Sequence, residues 1–328
     1  MAQPVAMATL WRGKMPESQH LGHAVVVGAD GGIVQAWGDP GAVIYPRSSC
    51  KMVQALPLVE SGGADALGTE HLALACASHQ GAAIHTERVA RWLADLGLGE
   101  SDLRCGAHPP TDLPARDALI RSDAAPCQLH NNCSGKHSGF LTLNRHLGGG
   151  SEYIDIDHPV QKTVKAAFEE VTGETSPGYG IDGCSAPNHA TSLAGLGRAM
   201  AAFAAAGEGS VRGRAMLRLR EAMLTHPDLV AGEGRACTEL MRAMDGVVVK
   251  TGAEGVFVAI LPEQRLGVAL KIADGATRAS ECAMASILTS LGVLDPAHPA
   301  ALRRMAAPQV NCRGIEAAVV RPAEGFPG

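Results

Sequence analysis

Short β-rich segments lie at both ends of the chain, and the long stretch between them has the pattern of helices. Near the N-terminus, "HAVVVGADGGIVQAWGD" places two β-forming runs around the turn sequence DGG at residues 30–32, which predicts a hairpin. Near the C-terminus, residues 246–251, 255–261 and 266–272 form three further β runs. Because strands must pair, these segments predict one antiparallel sheet built from both ends of the chain.

The middle of the chain predicts a large helical region. Segments such as "HPVQKTVKAAFEEVTGE" carry apolar residues at helical spacing, and the Ala-rich stretch at 199–206 is typical of a small-residue packing face. "TRASECAMASILTSLGVL" predicts a closing helix over the sheet. We therefore predict an α+β fold in one domain, 1–328, with the sheet region at about 20–60 and 245–295. The helical insertion covers about 70–244, and the tail "RPAEGFPG" is expected to be loose.

The segment "SSCKMVQALPLVES" follows the first strands and has the apolar spacing of a helix. Ser48 or Ser49 is placed to cap the start of this helix, since serine favours the N-cap position. Pro57 lies inside the pattern and predicts a kink.

Composition excludes several classes of protein. The formal net charge is -5 and no Lys/Arg run is present, which argues against a nucleic-acid partner. No stretch of 18 apolar residues exists, so no membrane span is expected. Arg12 and Lys14 interrupt the N-terminal apolar residues, unlike a signal peptide. The nine cysteines are odd in number and irregularly spaced, which favours a reduced, cytoplasmic protein.

Two serine–lysine patterns point to acyl-transfer chemistry. Ser48 and Lys51 form S-x-x-K, and residues three apart on a helix share a face. A serine becomes a nucleophile when a base takes its proton, and a lysine with a lowered pKa can serve as that base. S-x-x-K alone occurs by chance about once or twice in a chain of this length. Ser48 as a helix cap and Lys51 as a solvated side chain are the alternative.

A late β run adds a K-T-G sequence that begins at Lys250. A serine that opens a helix together with a K-T-G strand is the layout of penicillin-binding proteins and class A β-lactamases. No S-D-N is present, and Ser78 in "ACASHQG" is the nearest substitute, which gives a second Ser–Lys pair with Lys250. Lys250 as an ordinary edge charge and Ser78 as a loop hydroxyl are the alternative.

The segment "NNCSGKHSG" admits three interpretations: a metal loop, a phosphate loop, or a polar connection that happens to contain a cysteine. Together with the residues before it, it contains Cys127, His130, Cys133 and His137, a compact candidate for a Cys₂His₂ metal site. A phosphate loop is disfavoured because the first glycine of that motif is missing. A second thiol, Cys184 in "GIDGCSAP", lies in another Gly-rich turn.

Five segments together resemble the Rhizobium-type L-asparaginases, the class 3 or asparaginase II family. They are "YPRSSCKMVQALPLV", "ACASHQG", "NNCSGKHSGFL", "GIDGCSAP" and "KTGAEGV", in the order of the family and spanning about 20–290. The resemblance implies a fold similar to serine β-lactamases and glutaminases, in agreement with the layout above. Five matching segments are much more specific than any one of them.

The resemblance implies a role for each serine and lysine. Ser48 is the implied nucleophile with Lys51 as its base, and Ser78 with Lys250 forms the second pair. The resemblance also places Arg47 near the substrate carboxylate.

The resemblance further implies an accessory zinc site. Cys133, Lys136 and Cys184 are the implied ligands, with a water completing the coordination, and His137 and Asp182 are implied substrate-pocket residues. A lysine binds metal only as the neutral amine, so the site requires the lysine pKa to fall on binding.

The implied function is hydrolysis of L-asparagine to L-aspartate and ammonia by a homodimer. A serine amidohydrolase of the same fold that acts on glutamine, a β-lactam or a small ester is the first alternative. A zinc or thiol protein with a structural or redox-sensing role is the non-enzymatic alternative. Cys237 in "EGRACTEL" matches a family position near the site, without an implied role.

Overall fold

The structure is a computed structural model that describes residues 2–306 and 308–328. Twelve strands lie within the described residues: β1 (Val5–Arg12), β2 (Met15–Gly28), β3 (Ile33–Trp37), β4 (Val43–Ile44), β5 (Tyr179–Ile181), β6 (Pro187–His189), β7 (Thr191–Ser192), β8 (Val248–Thr251), β9 (Val256–Leu261), β10 (Leu266–Ile272), β11 (Pro308–Val310) and β12 (Glu316–Pro322).

Thirteen α-helices lie in the same described part of the chain: α1 (Lys51–Gln54), α2 (Leu56–Glu60), α3 (Thr69–Ala75), α4 (Ala83–Asp95), α5 (Leu113–Arg121), α6 (Ser134–Leu147), α7 (Pro159–Thr172), α8 (Leu193–Ala204), α9 (Val211–Thr225), α10 (Pro227–Val230), α11 (Ala236–Ala243), α12 (Thr277–Ser290) and α13 (Pro299–Met305). Within the described residues, no helix combines the length and the apolar character that crossing a membrane requires.

The main sheet has eight strands in the order β11-β12-β1-β2-β10-β9-β8, with β3 also paired to β2. All of these pairings are antiparallel, and β2 pairs with β1 along its first part and with β10 along its second part. The predicted α+β fold, with an antiparallel sheet made from N- and C-terminal strands, is confirmed. The sheet is wider than the sequence indicates, because β1, β11 and β12 lie outside the predicted sheet regions.

The chain divides into two compact units. The sheet unit comprises Met1–Ser49, Thr191–Ala205 and Glu239–Gly328, and the helical unit comprises Cys50–Ala190 and Ala206–Thr238. Helix α8 lies within the predicted helical insertion but belongs to the sheet unit. The single domain expected over 1–328 stays a prediction.

Small residues allow α8 to lie directly on the sheet. A Cβ at Gly197 would approach Val27 to 2.7 Å, and a Cβ at Gly267 on β10 would meet the backbone nitrogen of Ala201 at 2.2 Å. Both glycines are therefore required by the close approach of helix and strand. The predicted small-residue packing face is confirmed, and the closing helix α12 also packs against the sheet.

The C-terminal tail is ordered, so the expectation of a loose tail is wrong. The indole N–H of Trp37 donates to the carbonyl of Pro327 at 2.8 Å, and the Phe326 ring lies 5.5 Å from the Trp37 ring. The backbone N–H of Ala323 donates to Met7 at 3.1 Å. These long-range contacts fix a segment whose composition alone predicts disorder.

The first helix is broken where Pro57 predicts it. Helix α1 ends at Gln54 and α2 begins at Leu56, with Pro57 in the first turn of α2. A 3₁₀ turn over Arg47–Cys50 precedes α1, and no side chain caps α1. Neither Ser48 nor Ser49 therefore caps α1 with its side chain.

Candidate active site

In the sheet unit, the turn that carries Ser48 packs against the end of strand β8. The Ser49 hydroxyl donates to the carbonyl of Pro46 at 2.8 Å and is fully buried, whereas Ser48 is partly exposed. A Cβ at Gly252 would lie 2.6 Å from the Pro46 carbonyl oxygen, so the K-T-G strand runs directly beside this turn. The glycine of K-T-G is thus explained by the close approach of two backbones.

Lys250 lies on β8 with its side chain fully buried, and its Nζ donates to the carbonyl of Thr251 at 2.9 Å. A buried lysine must keep hydrogen-bond partners, because an unpaired cation in the interior is costly. The pairing of Lys250 with Ser78 stays a prediction.

Two residues with left-handed backbone lie beside predicted site residues. Arg47 has φ of 54° and Ser185 has φ of 69°. Non-glycine residues seldom adopt this conformation, and such strain is concentrated at functional sites. Arg47 directly precedes Ser48, and Ser185 directly follows Cys184.

In the helical unit, Lys51 is the centre of a buried polar cluster. Its side chain is fully buried, and Nζ lies 2.9 Å from Ser78 Oγ and 3.0 Å from Cys133 Sγ. The carbonyl of Ala77 also accepts from Nζ. The structure therefore brings together Lys51, Ser78 and Cys133, which the sequence analysis assigned to three different parts of the site.

The three predicted zinc ligands also converge in the helical unit. Cys133 is the N-cap residue of α6, and Lys136 lies in the first turn of that helix. Cys184 lies in the turn between β5 and β6, and its sulfur accepts from Lys136 Nζ at 3.1 Å. The Cys133 thiol is hydrogen-bonded to Cys184.

These contacts determine where the charges lie. The hydrogen bond from Cys133, aided by the positive charge of Lys136, holds the pKa of Cys184 well below its ordinary value despite burial. The same hydrogen bond, together with burial, raises the pKa of Cys133. Burial lowers the pKa of Lys136, but the sulfurs of Cys184 and Cys133 outweigh it and the net pKa is raised. These directions favour a Cys184 thiolate beside a Lys136 ammonium.

Two thiols and one amine fit a zinc ion that keeps an open coordination position. The donor atoms are already in mutual contact, and Lys136 and Cys133 must lose their protons before they can act as ligands. Among the described residues, no group of three or more His, Cys, Asp or Glu could hold a metal. A metal at this place would therefore depend on the lysine as a ligand.

The compact Cys₂His₂ interpretation has no support in the described part of the chain. Cys127 Sγ lies 3.3 Å from His130 Nδ1, and these two residues cap a short 3₁₀ turn over Gln128–His130. Their neighbours Cys133 and His137 have other partners.

His137 supports the sulfur site from within α6. The ring is fully buried, its Nδ1 lies 2.9 Å from the hydroxyl of Tyr153, and burial lowers the pKa of His137. Cys184 acts in the opposite direction on that pKa. Asp182 accepts from the backbone N–H of Gly183 at 2.7 Å, and its charge acts on Lys136.

Two further residues build this site and are not among those that the sequence predicts. Tyr153 is fully buried and accepts from the backbone N–H of Arg104 at 2.8 Å while it contacts His137. Asn131 accepts from the backbone N–H of Cys133 at 2.9 Å and donates to the carbonyl of Cys105. Asn131 lies in a quoted motif, so its amide was a usable signal, whereas no local pattern marks Tyr153.

The arrangement suits proton transfer to and from a serine. A buried lysine amine within hydrogen-bond distance of a hydroxyl meets the geometric requirement for a general base. Cys50, next to the serine turn, is unsuited to nucleophilic chemistry, because burial raises the pKa of its thiol to about 12.

Comparison with known proteins matches residues 8–322 to the family described as L-asparaginase II. Among solved structures, the chain is similar to a β-lactamase from Mycobacterium bovis, with 14% identity, 82% of this chain and 94% of that chain covered, and a TM-score of 0.45. It is also similar to a class C β-lactamase from Rhodobacter sphaeroides, with 15% identity, coverage of 83% and 95%, and a TM-score of 0.44. No curated protein sequence matches the chain.

Proposed function

Because the chain belongs to the L-asparaginase II family, we propose that it hydrolyses L-asparagine to L-aspartate and ammonia through a serine acyl-enzyme. Membership of this family supports an amidohydrolase, and asparagine is the substrate that the family name suggests. The observation that carries the proposed chemistry is the fully buried Lys51 amine, which follows Ser48 by three residues in the chain and lies 2.9 Å from the Ser78 hydroxyl.

In the proposed reaction, neutral Lys51 takes the proton of Ser48, and the Ser48 oxygen bonds to the side-chain amide carbon of asparagine. Backbone N–H groups of Ser48 and of the strand after Lys250 stabilise the oxyanion. The C–N bond then breaks, and Ser78 and Lys250 relay a proton to the departing ammonia. Water hydrolyses the β-aspartyl ester, which releases aspartate and restores Ser48.

Substrate orientation is assigned to polar residues around the serines. Arg47 is proposed to bind the α-carboxylate, and Asp182 and His137 are proposed to line the pocket. Cys133, Lys136 and Cys184 would hold the zinc ion, which when bound supplies positive charge that helps to orient the α-amino and α-carboxylate groups. Loss of that charge is expected to raise KM more than it lowers kcat. A homodimeric assembly and a cytoplasmic location stay predictions.

The test is ammonia release from L-asparagine by Ser48→Ala, with Ser49→Ala as the matched control. Ser48→Ala is expected to lose essentially all turnover, because no other hydroxyl replaces the nucleophile. Ser49→Ala is expected to keep most activity, since the Ser49 hydroxyl is bonded to Pro46. Wild-type rates in Ser48→Ala would rule out this mechanism.

The same assay extended to L-glutamine, a β-lactam and a small ester defines the substrate. Asparagine is expected to have the highest kcat/KM. A higher value for any other substrate would replace asparagine in the proposal and leave the acyl-enzyme chemistry in place.

A further inference from the structure

A buried hydrogen-bond chain joins the segments "ACASHQG" and "NNCSGKH", and none of the predicted catalytic or metal-binding residues supplies it. His79 Nε2 lies 2.9 Å from Ser134 Oγ, and His79 Nδ1 accepts from the backbone N–H of Gly81 at 3.2 Å. Because Nδ1 is the acceptor, the hydrogen-bond network assigns the proton of the neutral ring to Nε2, which donates to Ser134. The Ser134 hydroxyl in turn donates to the carbonyl of Leu129 at 3.0 Å.

Both members of this chain are shielded from solvent. His79 is 1% exposed and Ser134 is 0% exposed. Burial, and then the ring of His85 stacked at 4.7 Å, lower the pKa of His79 well below its ordinary value, which favours the neutral ring. Bulk water cannot replace either partner, so loss of one leaves a buried polar group unpaired.

The chain links the two backbones that place groups around Lys51. Ser78 directly precedes His79, and Cys133 directly precedes Ser134. Lys51 Nζ contacts Ser78 Oγ at 2.9 Å and Cys133 Sγ at 3.0 Å. The bond between His79 and Ser134 therefore joins the two segments next to these contacts, beside the backbone hydrogen bond from the N–H of His79 to the carbonyl of Asn132 at 3.1 Å.

We propose that His79 and Ser134 are positioning residues that hold Ser78 and Cys133 at their hydrogen-bond distances from the Lys51 amine. This inference rests on the proposed function, because it assigns to the pair an effect on the steps that use Lys51. Neither side chain touches the substrate in this proposal.

The decisive variants are His79→Phe, which keeps a stacking ring, and Ser134→Ala. Each is expected to lower kcat for ammonia release about 10- to 100-fold, since displacements of about 1 Å have effects of that size. KM is expected to change less than about threefold, because substrate-binding residues are untouched. The double variant is expected to lose no more than the worse single variant, since both remove the same bond.

His85→Phe is the matched control. The His85 ring is stacked on His79, and its Nε2 donates to the carbonyl of Asp228 at 2.9 Å. The variant removes this second buried imidazole but leaves the bond between His79 and Ser134 intact. This control is expected to lower thermal stability while kcat is unchanged. Ser134→Cys, which keeps a weak acceptor, is expected to fall between wild type and Ser134→Ala.

NMR of the ¹⁵N-histidine-labelled protein tests the bond independently of activity. His79 is expected as the Nε2–H tautomer with a slowly exchanging ring proton, and exchange is expected to be faster in Ser134→Ala. Equal exchange in both proteins, additive losses in the double variant, or an unchanged kcat in Ser134→Ala would each overturn the proposal. A wild-type protein without asparaginase activity would overturn the proposed function instead, and the NMR result would still report on the bond.

Discussion

The sheet unit and the helical unit fill their interiors with different chemistry. Strand β9 is buried at every position and is entirely apolar, and α8 meets the sheet through small residues. Helix α6 in the helical unit buries Ser134, Lys136, His137 and Ser138 within its first five residues. Buried polar groups lower stability unless each is paired, so the helical unit accepts that cost where the site lies. The difference shows that β9 and α8 mainly provide packing, whereas the start of α6 provides a set of positioned polar groups.

Replacing one predicted catalytic lysine in each unit is expected to give the largest loss of kcat. Lys51→Met should lower kcat about 10⁴-fold and Lys250→Met about 10²-fold, at the two ends of the range for acid–base catalysis. Methionine keeps most of the buried volume, so the protein should stay folded. Steady-state ammonia release measures both, and equal losses would contradict the assignment of Lys51 as the first base.

Zinc affinity should depend strongly on pH at the helical-unit site. Bound protons on Lys136 and Cys133 compete with the metal, and each displaced proton changes affinity about 10-fold per pH unit. Competition with a chromophoric chelator at pH 6.5 and 8.5 should therefore show an increase in affinity of about 10⁴-fold, because two protons are displaced over two pH units.

Cys184→Ala should abolish this binding. Cys282→Ala in the sheet unit should leave it unchanged, because burial raises the pKa of that thiol to about 12 and it is not a predicted ligand. A pH-independent affinity would contradict the lysine ligand.

A change in the packing between α8 and β10 should lower the free energy of unfolding without altering kcat. Gly267→Ala places a Cβ 2.2 Å from the Ala201 nitrogen and should cost about 2 kcal/mol of unfolding free energy. Gly209→Ala is the control, since a Cβ there meets nothing within 4 Å. Urea unfolding measures both changes. An altered kcat per folded molecule of Gly267→Ala would show that the contact between α8 and β10 affects catalysis as well as stability.

Acid should lower the free energy of unfolding through the buried imidazoles of the helical unit. Burial is the main cause that lowers the pKa values of His79 and His85 in the folded protein. The unfolded state therefore binds more protons below about pH 6.5, and the stability contributed by neutral imidazoles is complete above that pH and lost as pH falls.

The expected loss is about 1.4 kcal/mol per pH unit for each imidazole that gains a proton on unfolding. Urea midpoints between pH 7 and 5 measure it. His85→Phe should flatten the slope, and an unchanged slope would mean that His85 does not contribute.

Features set by nearby residues could be predicted from the sequence. The N-terminal hairpin, the strand with Lys250, the helix break at Pro57 and the small-residue face of α8 each depend on local patterning or residue size. The convergence of Cys133, Lys136 and Cys184 was implied by family resemblance, not by spacing, because Cys184 comes from a separate hairpin.

Features set by tertiary pairing could not be predicted. Strand β12 and the tail gain order from Met7 and Trp37, which lie about 300 residues away in the chain. The contact of Tyr153 with His137 has no local signal, and the same holds for the bond between His79 and Ser134.

The pairing of β1 with β12 has a consequence for biosynthesis. Ala8 lies opposite Pro322, so the first strand leaves the ribosome roughly 300 residues before its partner. At about 5 to 20 residues per second, that delay is on the order of 15 to 60 s. The segments of the helical unit are all synthesised before β8, whereas the main sheet can be completed only after β11 and β12 have been synthesised. During this interval β1 and β2 lack their C-terminal partners β12 and β10, and unpaired strand edges are prone to pair with other chains.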